Sequence, residues 1–107
     1  MPGASDNKFR IFIYEFFGTS ILVYAVIASG GNAIAVSFCL LFLLMLLCPI
    51  SGAHINPAVT LGVYISQKKY GKNLGLLLLY LVAEFMGALL GVFWAWLVLM
   101  PSYLSDY

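Results

Sequence analysis

Residues 51–66 read Ser51-Gly-Ala-His-Ile-Asn-Pro-Ala-Val-Thr-Leu-Gly-Val-Tyr-Ile-Ser66, and this stretch decides the fold. It is too apolar for an aqueous loop and too short to cross a bilayer. A helix over 57–66 reaches only ~15 Å at 1.5 Å per residue, half of a ~30 Å hydrocarbon core. Pro57 suits the first helical position, where a missing N–H costs nothing, and Asn56 before it is a strong N-cap. The reading is a half-helix that opens at Pro57, preceded by an irregular run from Ser51.

Outward from that stretch the chain is built for lipid. Of its 107 residues 64% are hydrophobic and 8% charged, against about 25% charged in ordinary soluble domains. So few charges cannot cover a soluble globule, disorder needs the opposite composition, and a net charge of +1 gives no footprint for nucleic acid. The charges cluster: Asp6, Lys8 and Arg10 near the start, Lys68, Lys69 and Lys72 in one run, Asp106 at the end. Only Glu15 and Glu84 fall inside apolar stretches. The intervals predict three transmembrane helices, about 9–28, 33–50 and 74–100, around the re-entrant loop and half-helix of 51–66. Ser29, Gly30, Gly31 and Asn32 form the tight turn between the first two. A cleaved signal peptide is disfavoured for the first span, which is longer than a usual signal core and carries Glu15. The expectation is one all-α membrane domain over 1–107.

Charge places the half-helix. With the N-terminus cytoplasmic, a segment that dips in and returns on one side leaves all five basic residues on the cytoplasmic face, as the positive-inside rule requires. If it crossed, Lys68, Lys69 and Lys72 would lie outside. The re-entrant reading follows, with the Lys68–Lys72 loop cytoplasmic and residues 102–107 on the far face.

Irregular backbone at membrane depth survives only where it is buried in protein or lines a watery cavity. The run Ser51-Gly52-Ala53-His54-Ile55-Asn56-Pro57-Ala58-Val59-Thr60 closely resembles the first signature loop of the aquaporin, or major intrinsic protein, family. The Asn-Pro-Ala tripeptide alone is weak; ten matching residues in the right topological place are strong. The likeness extends to Glu15-Phe-Phe-Gly-Thr19 upstream and to Ala83-Glu84-Phe-Met-Gly87-Ala88 downstream. Family members have two inverted repeats, each of three helices and a half-helix, whose Asn-Pro-Ala loops meet at mid-membrane. This sequence resembles the N-terminal repeat and has one Asn-Pro-Ala.

The residues have physical roles of their own. A half-helix from Pro57 aims its N-terminal dipole at the membrane centre, where a cation is repelled. The Asn56 carboxamide can donate to a passing water oxygen, a role compatible with capping the half-helix alongside Pro57 and Ala58. The carbonyls of Gly52, Ala53 and His54 lack helical partners, and the resemblance implies that they line the pore with Asn56, Val59 and Val36. Val36, twenty residues before Asn56, stands where the family places an aromatic or histidine at its outer constriction. A valine there widens the constriction towards small neutral solutes, unless it is an ordinary core valine.

Glu15 within a helix needs a partner inside the bundle. The resemblance implies that it holds the loop that carries His54, the only histidine, and Glu15, His54 and Glu84 are read as structural support. Glu84 departs from the family, where glutamine is usual. No Ser or Cys nucleophile accompanies these groups, and the expectation is no enzyme, no cofactor and no metal. Ala83, Gly87, Gly91 and Ala95 form a small-residue stripe for close helix packing, with Gly18 doing the same on the first helix. Trp94, Trp96, Tyr103 and Tyr107 suit one membrane interface and Tyr70 the other. Cys39 and Cys48, nine residues apart on one helix, are ~13 Å apart in rise, too far for a disulfide.

The expected function is half of a passive channel for water or small uncharged solutes in a lipid bilayer. A complementary aquaporin half, another membrane subunit or a C-terminal continuation completes it. A homo-oligomer resembling the family's tetramers fits, but a homodimer does not build the pore, since the second copy would insert upside down against the charge bias. The alternative is a non-conducting structural subunit or truncated fragment.

Overall fold

The structure is a computed structural model that describes residues 7–105. Its elements are α1 (Lys8–Ala28), α2 (Ala33–Ser51), α3 (Pro57–Gln67) and α4 (Tyr70–Ser105). Three of them, α1, α2 and α4, are long and apolar enough to cross a membrane. At 11 residues α3 is not, spanning ~16 Å.

Local chemistry explains the boundaries. Asn7 caps α1, its side chain accepting from the amides of Phe9 and Arg10. At the other end the Gly31 amide bonds back to Val26 and that of Gly30 to Ile27, the paired bonds of a Schellman stop. Both glycines take positive φ, 65° and 75°, which a side chain would resist. Asn32 then caps α2 through the Ala35 amide at 3.0 Å, and the chain reverses within four residues. Gly52 closes α2 in the left-handed region, its N–H bonding to Cys48 O at 3.1 Å.

α4 differs from the sequence expectation. It begins at Tyr70, not near 74, and runs through Pro101 to Ser105. Gly71, Lys72 and Asn73 look like an aqueous loop by composition. A helix that emerges into the headgroup region can carry such residues, and Asn73 is tied down by its amide bond to Gln67 at 3.2 Å. The 36-residue helix is ~54 Å long and sets the 54 Å long axis of the molecule.

The packing fixes directions. Ile11 clusters with Leu76 and Tyr80, a Cβ on Gly87 would strike the Phe16 carbonyl, and one on Gly91 would meet that of Ser20 at 2.5 Å. These contacts climb both helices together, so α1 and α4 are parallel neighbours whose backbones touch where glycines allow it. Along α3, Thr60 meets Glu84 whereas Tyr64 bonds to Tyr70, so α3 runs opposite to α4. It returns the chain to the end of the bundle at which α1 and α4 begin.

Candidate functional site: the loop between α2 and α3

The loop enters the bundle at its middle. Ile55 packs on Gly18, the midpoint of the 21-residue α1: a Cβ on Gly18 would lie 2.7 Å from Ile55 Cγ2 and 2.6 Å from Leu47 Cδ1. Gly18 thus makes room for the loop and α2, whereas the close approach of α1 to α4 uses Gly87 and Gly91. Ala83 and Ala95 are buried on α4. Ala53 and Ile55 join Leu43 and Leu47 in one apolar cluster.

Two non-glycine residues of this loop are left-handed, Ala53 at φ 50° and Ile55 at φ 42°. A β-branched residue resists that region and adopts it only where its surroundings dictate it. Glu15 supplies the dictation. Its Oε1 accepts from the Ser51 hydroxyl at 2.7 Å and the His54 amide at 3.0 Å, and its Oε2 accepts from the Ile55 amide at 2.7 Å. Glu15 is fully buried, so one carboxylate replaces the backbone partners that the broken helix gives up.

The His54 ring is not bonded to Glu15. It stacks on Tyr80 at a centroid distance of 4.4 Å, and its Nδ1 lies 3.1 Å from Thr60 Oγ1. Thr60 in turn donates to Glu84 Oε1 at 2.6 Å, and the Tyr80 hydroxyl donates to the Ser51 carbonyl. A buried chain therefore joins the loop through α3 to α4. Glu84 is fully buried, and its Oε2 has no hydrogen-bond partner among the described residues. The sequence reading gave no individual role to Ser51 and Thr60, which it quoted only within the signature run, and missed Tyr80. Tyr80 stands one turn before Glu84 on the same helix face and Thr60 one turn after Asn56, spacings that could have drawn them in.

Asn56 caps α3, Oδ1 accepting from the Ala58 amide at 2.9 Å. The residue is exposed, as are Gly52, Ala58 and Val59. Ala53 and His54 are buried, and their carbonyls accept no hydrogen bond among the described residues. Val36 is half-buried in the first turn of α2, ~22 Å along that helix from Ser51. Trp94 and Trp96 are exposed on α4 and Tyr70 on its first turn; Asp6, Asp106, Tyr107 and the Tyr103 side chain lie outside the described residues. Both cysteines are free thiols, Cys39 half-buried and Cys48 exposed. Among the described residues no cluster of His, Cys, Asp and Glu fits a metal ion.

Comparison with known proteins gives the family of the chain. The sequence model of the major intrinsic protein family matches residues 3–104. An aquaporin PIP2-7 of Musa acuminata is 35% identical over 102 residues, covering 78% of this chain and 35% of its own length. A probable aquaporin PIP2-7 of Oryza sativa subsp. japonica is 34% identical, with 79% and 35% covered. The aquaglyceroporin AqpS of Rhizobium meliloti (strain 1021) is 33% identical over 94 residues, with 74% and 39% covered. The chain thus spans a little over a third of these relatives. No solved structure matches it significantly.

Proposed function

The chain belongs to the major intrinsic protein family, and from that premise we propose that it forms half of a passive channel for water or small uncharged solutes, completed by a second, inverted repeat. The supporting observation is the exposed Asn56 at the head of α3. The loop before it packs at the midpoint of α1, and α3 and α1 share one end of the bundle, which supports reading the carboxamide as lying at hydrocarbon depth. A bare amide facing lipid there costs several kcal/mol, roughly the penalty for an unmet polar group in an apolar medium. Water in a lumen, bounded on its other side by a matching half, removes that cost. Gly52, Asn56, Val59 and the carbonyls of Ala53 and His54 line that lumen in this reading, with Val36 further out. α2 is the apolar face left for the partner or lipid: Ile34, Phe38 and Met45 are 70%, 67% and 74% exposed.

In this arrangement the dipole of α3 and the N–H₂ of Asn56 orient water and repel cations. The activity is permeation, not catalysis. Orientation follows from charge, with Lys8, Arg10, Lys68, Lys69 and Lys72 cytoplasmic. Stopped-flow shrinkage of proteoliposomes tests the proposal. Flux above protein-free vesicles is expected only when the chain is reconstituted with a complementary half, and Asn56→Asp should then admit cations. Unaltered flux and selectivity in that variant would remove Asn56 from the pore.

A further inference from the structure

All five basic residues collect at one end of the bundle. α1 opens with Lys8 and Arg10, and its parallel neighbour α4 follows Lys68 and Lys69 and carries Lys72 in its first turn. Ile11 sits level with Leu76 and Tyr80, so Lys8 and Lys72 both lie on the same side of that contact, Lys72 roughly a turn or more further out than Lys8. Neither first turn contains an acidic residue. In the sequence one acid, Asp6, stands beside the five, outside the described residues.

The last turns of α2 and α3 point to the same end as the first turns of α1 and α4, so the helix dipoles largely offset there and the basic side chains carry its positive charge. A cluster of cations with so little acid beside it gains from negative charge supplied from outside. The depth of the cluster selects its source. Phe9, Tyr70 and Leu74 are 73%, 50% and 49% exposed among these charges, so apolar side chains and cations are interleaved at this end, as at a headgroup boundary. A crevice of about 120 Å³ opens there between α1 and the end of α2, lined by Asn7, Arg10, Ile11, Pro49 and Ile50.

We propose that this end is a docking surface for anionic phospholipid headgroups, with the crevice beside Arg10 seating one phosphate-bearing group and the lysines holding neighbours. The association depends on membrane embedding and charge and is independent of whether the chain conducts.

Native mass spectrometry of the full chain in detergent tests this, with equimolar phosphatidylglycerol and phosphatidylcholine added. Phosphatidylglycerol should be retained preferentially, and the preference should fall about fivefold for each charge removed, as for basic residues at an anionic surface. Arg10→Gln and the triple variant Arg10→Gln, Lys69→Gln, Lys72→Gln carry the comparison, with circular dichroism confirming helix content. Should the triple variant not fold, the unmodified chain still decides, because its preference must decline as salt is raised. Equal retention of the two lipids overturns the proposal. So does a preference that survives the substitutions or salt, or inorganic phosphate that displaces the lipid at matching concentration.

Discussion

Replacing Glu15 with glutamine isolates what the buried carboxylate does for the loop. Oε1 serves two donors, the Ser51 hydroxyl and the His54 amide, and Oε2 serves the Ile55 amide. The better orientation of a glutamine keeps its oxygen on the first two and turns its N–H₂ against Ile55 N–H. Leaving that buried donor unmet costs about 1–3 kcal/mol, and the two remaining bonds lose their charge assistance, about 1 kcal/mol together in a bilayer, where such bonds are weaker than isolation suggests. The sum, about 2–4 kcal/mol, is a 30- to 1,000-fold shift towards an open loop at roughly 1.4 kcal/mol per decade. Ile55 adds to it, since its left-handed backbone has lost the bond that selects it. Hydrogen–deuterium exchange by mass spectrometry reads the effect: peptides over 52–56 should exchange on the order of 10²-fold faster. Those around Gly87, packed on α1 without loop contacts, should hold their wild-type rates. Unchanged exchange over 52–56 would refute the argument that Glu15 dictates the loop.

Three further outcomes follow from the contacts. Gly87→Ala drives a Cβ into the Phe16 carbonyl and should cost about 1–3 kcal/mol through forced separation of α1 and α4, read as a lower melting temperature in detergent, whereas Gly62→Ala meets open space within α3 and should stabilise by about 0.5–1 kcal/mol. Thr60→Val removes the link between His54 and Glu84 at nearly constant volume; a loss of about 1–3 kcal/mol is expected in the same melt. Glu84→Gln keeps an oxygen for Thr60 and supplies donors in place of the unpartnered Oε2, and should leave the melting temperature equal or higher.

The sequence made the helices legible because each boundary has a local cause. Asn7, Asn32 and Asn56 cap, Gly30 and Gly31 turn, and long apolar runs span. The half-helix was visible from Pro57, the Asn56 cap and the length limit, and its return to the same side from the positions of the basic residues. The start of α4 was not, because polarity near Lys72 signals contact with water or headgroups and says nothing about whether the backbone has left the helix. Within the site, Glu15 was legible as a buried acid in need of donors. That the donors are backbone amides of His54 and Ile55, and not the imidazole, follows from the left-handed turns of the loop, which no residue type in Ala-His-Ile announces. Ser51, Thr60 and Tyr80 drew no role because hydroxyls are ordinary in membrane helices until burial ties them to particular partners, as it ties Ser51 to Glu15 and Thr60 to both His54 and Glu84.

The hydroxyl of Thr60 also fixes the ring that stands beside the loop. It has one proton to share between two contacts, and an ionised Glu84 takes it on Oε1. With Glu84 ionised, the contact with His54 Nδ1 is carried by a hydrogen on Nδ1 and leaves Nε2 as the acceptor; with Glu84 protonated, it can donate to Thr60 instead and Thr60 to Nδ1. Nε2 is the ring atom nearest Gly52, 3.5 Å from where a Cβ there would sit. Loop geometry and ring tautomer are thus set by two carboxyl groups on different helices, Glu15 through the backbone and Glu84 through Thr60. Substituting Thr60 should therefore alter the imidazole nitrogen shifts of His54 in NMR while Glu15 still holds the backbone. A Thr60→Val chain in which both nitrogens keep their wild-type shifts would mean that the ring is fixed by its stack on Tyr80 alone.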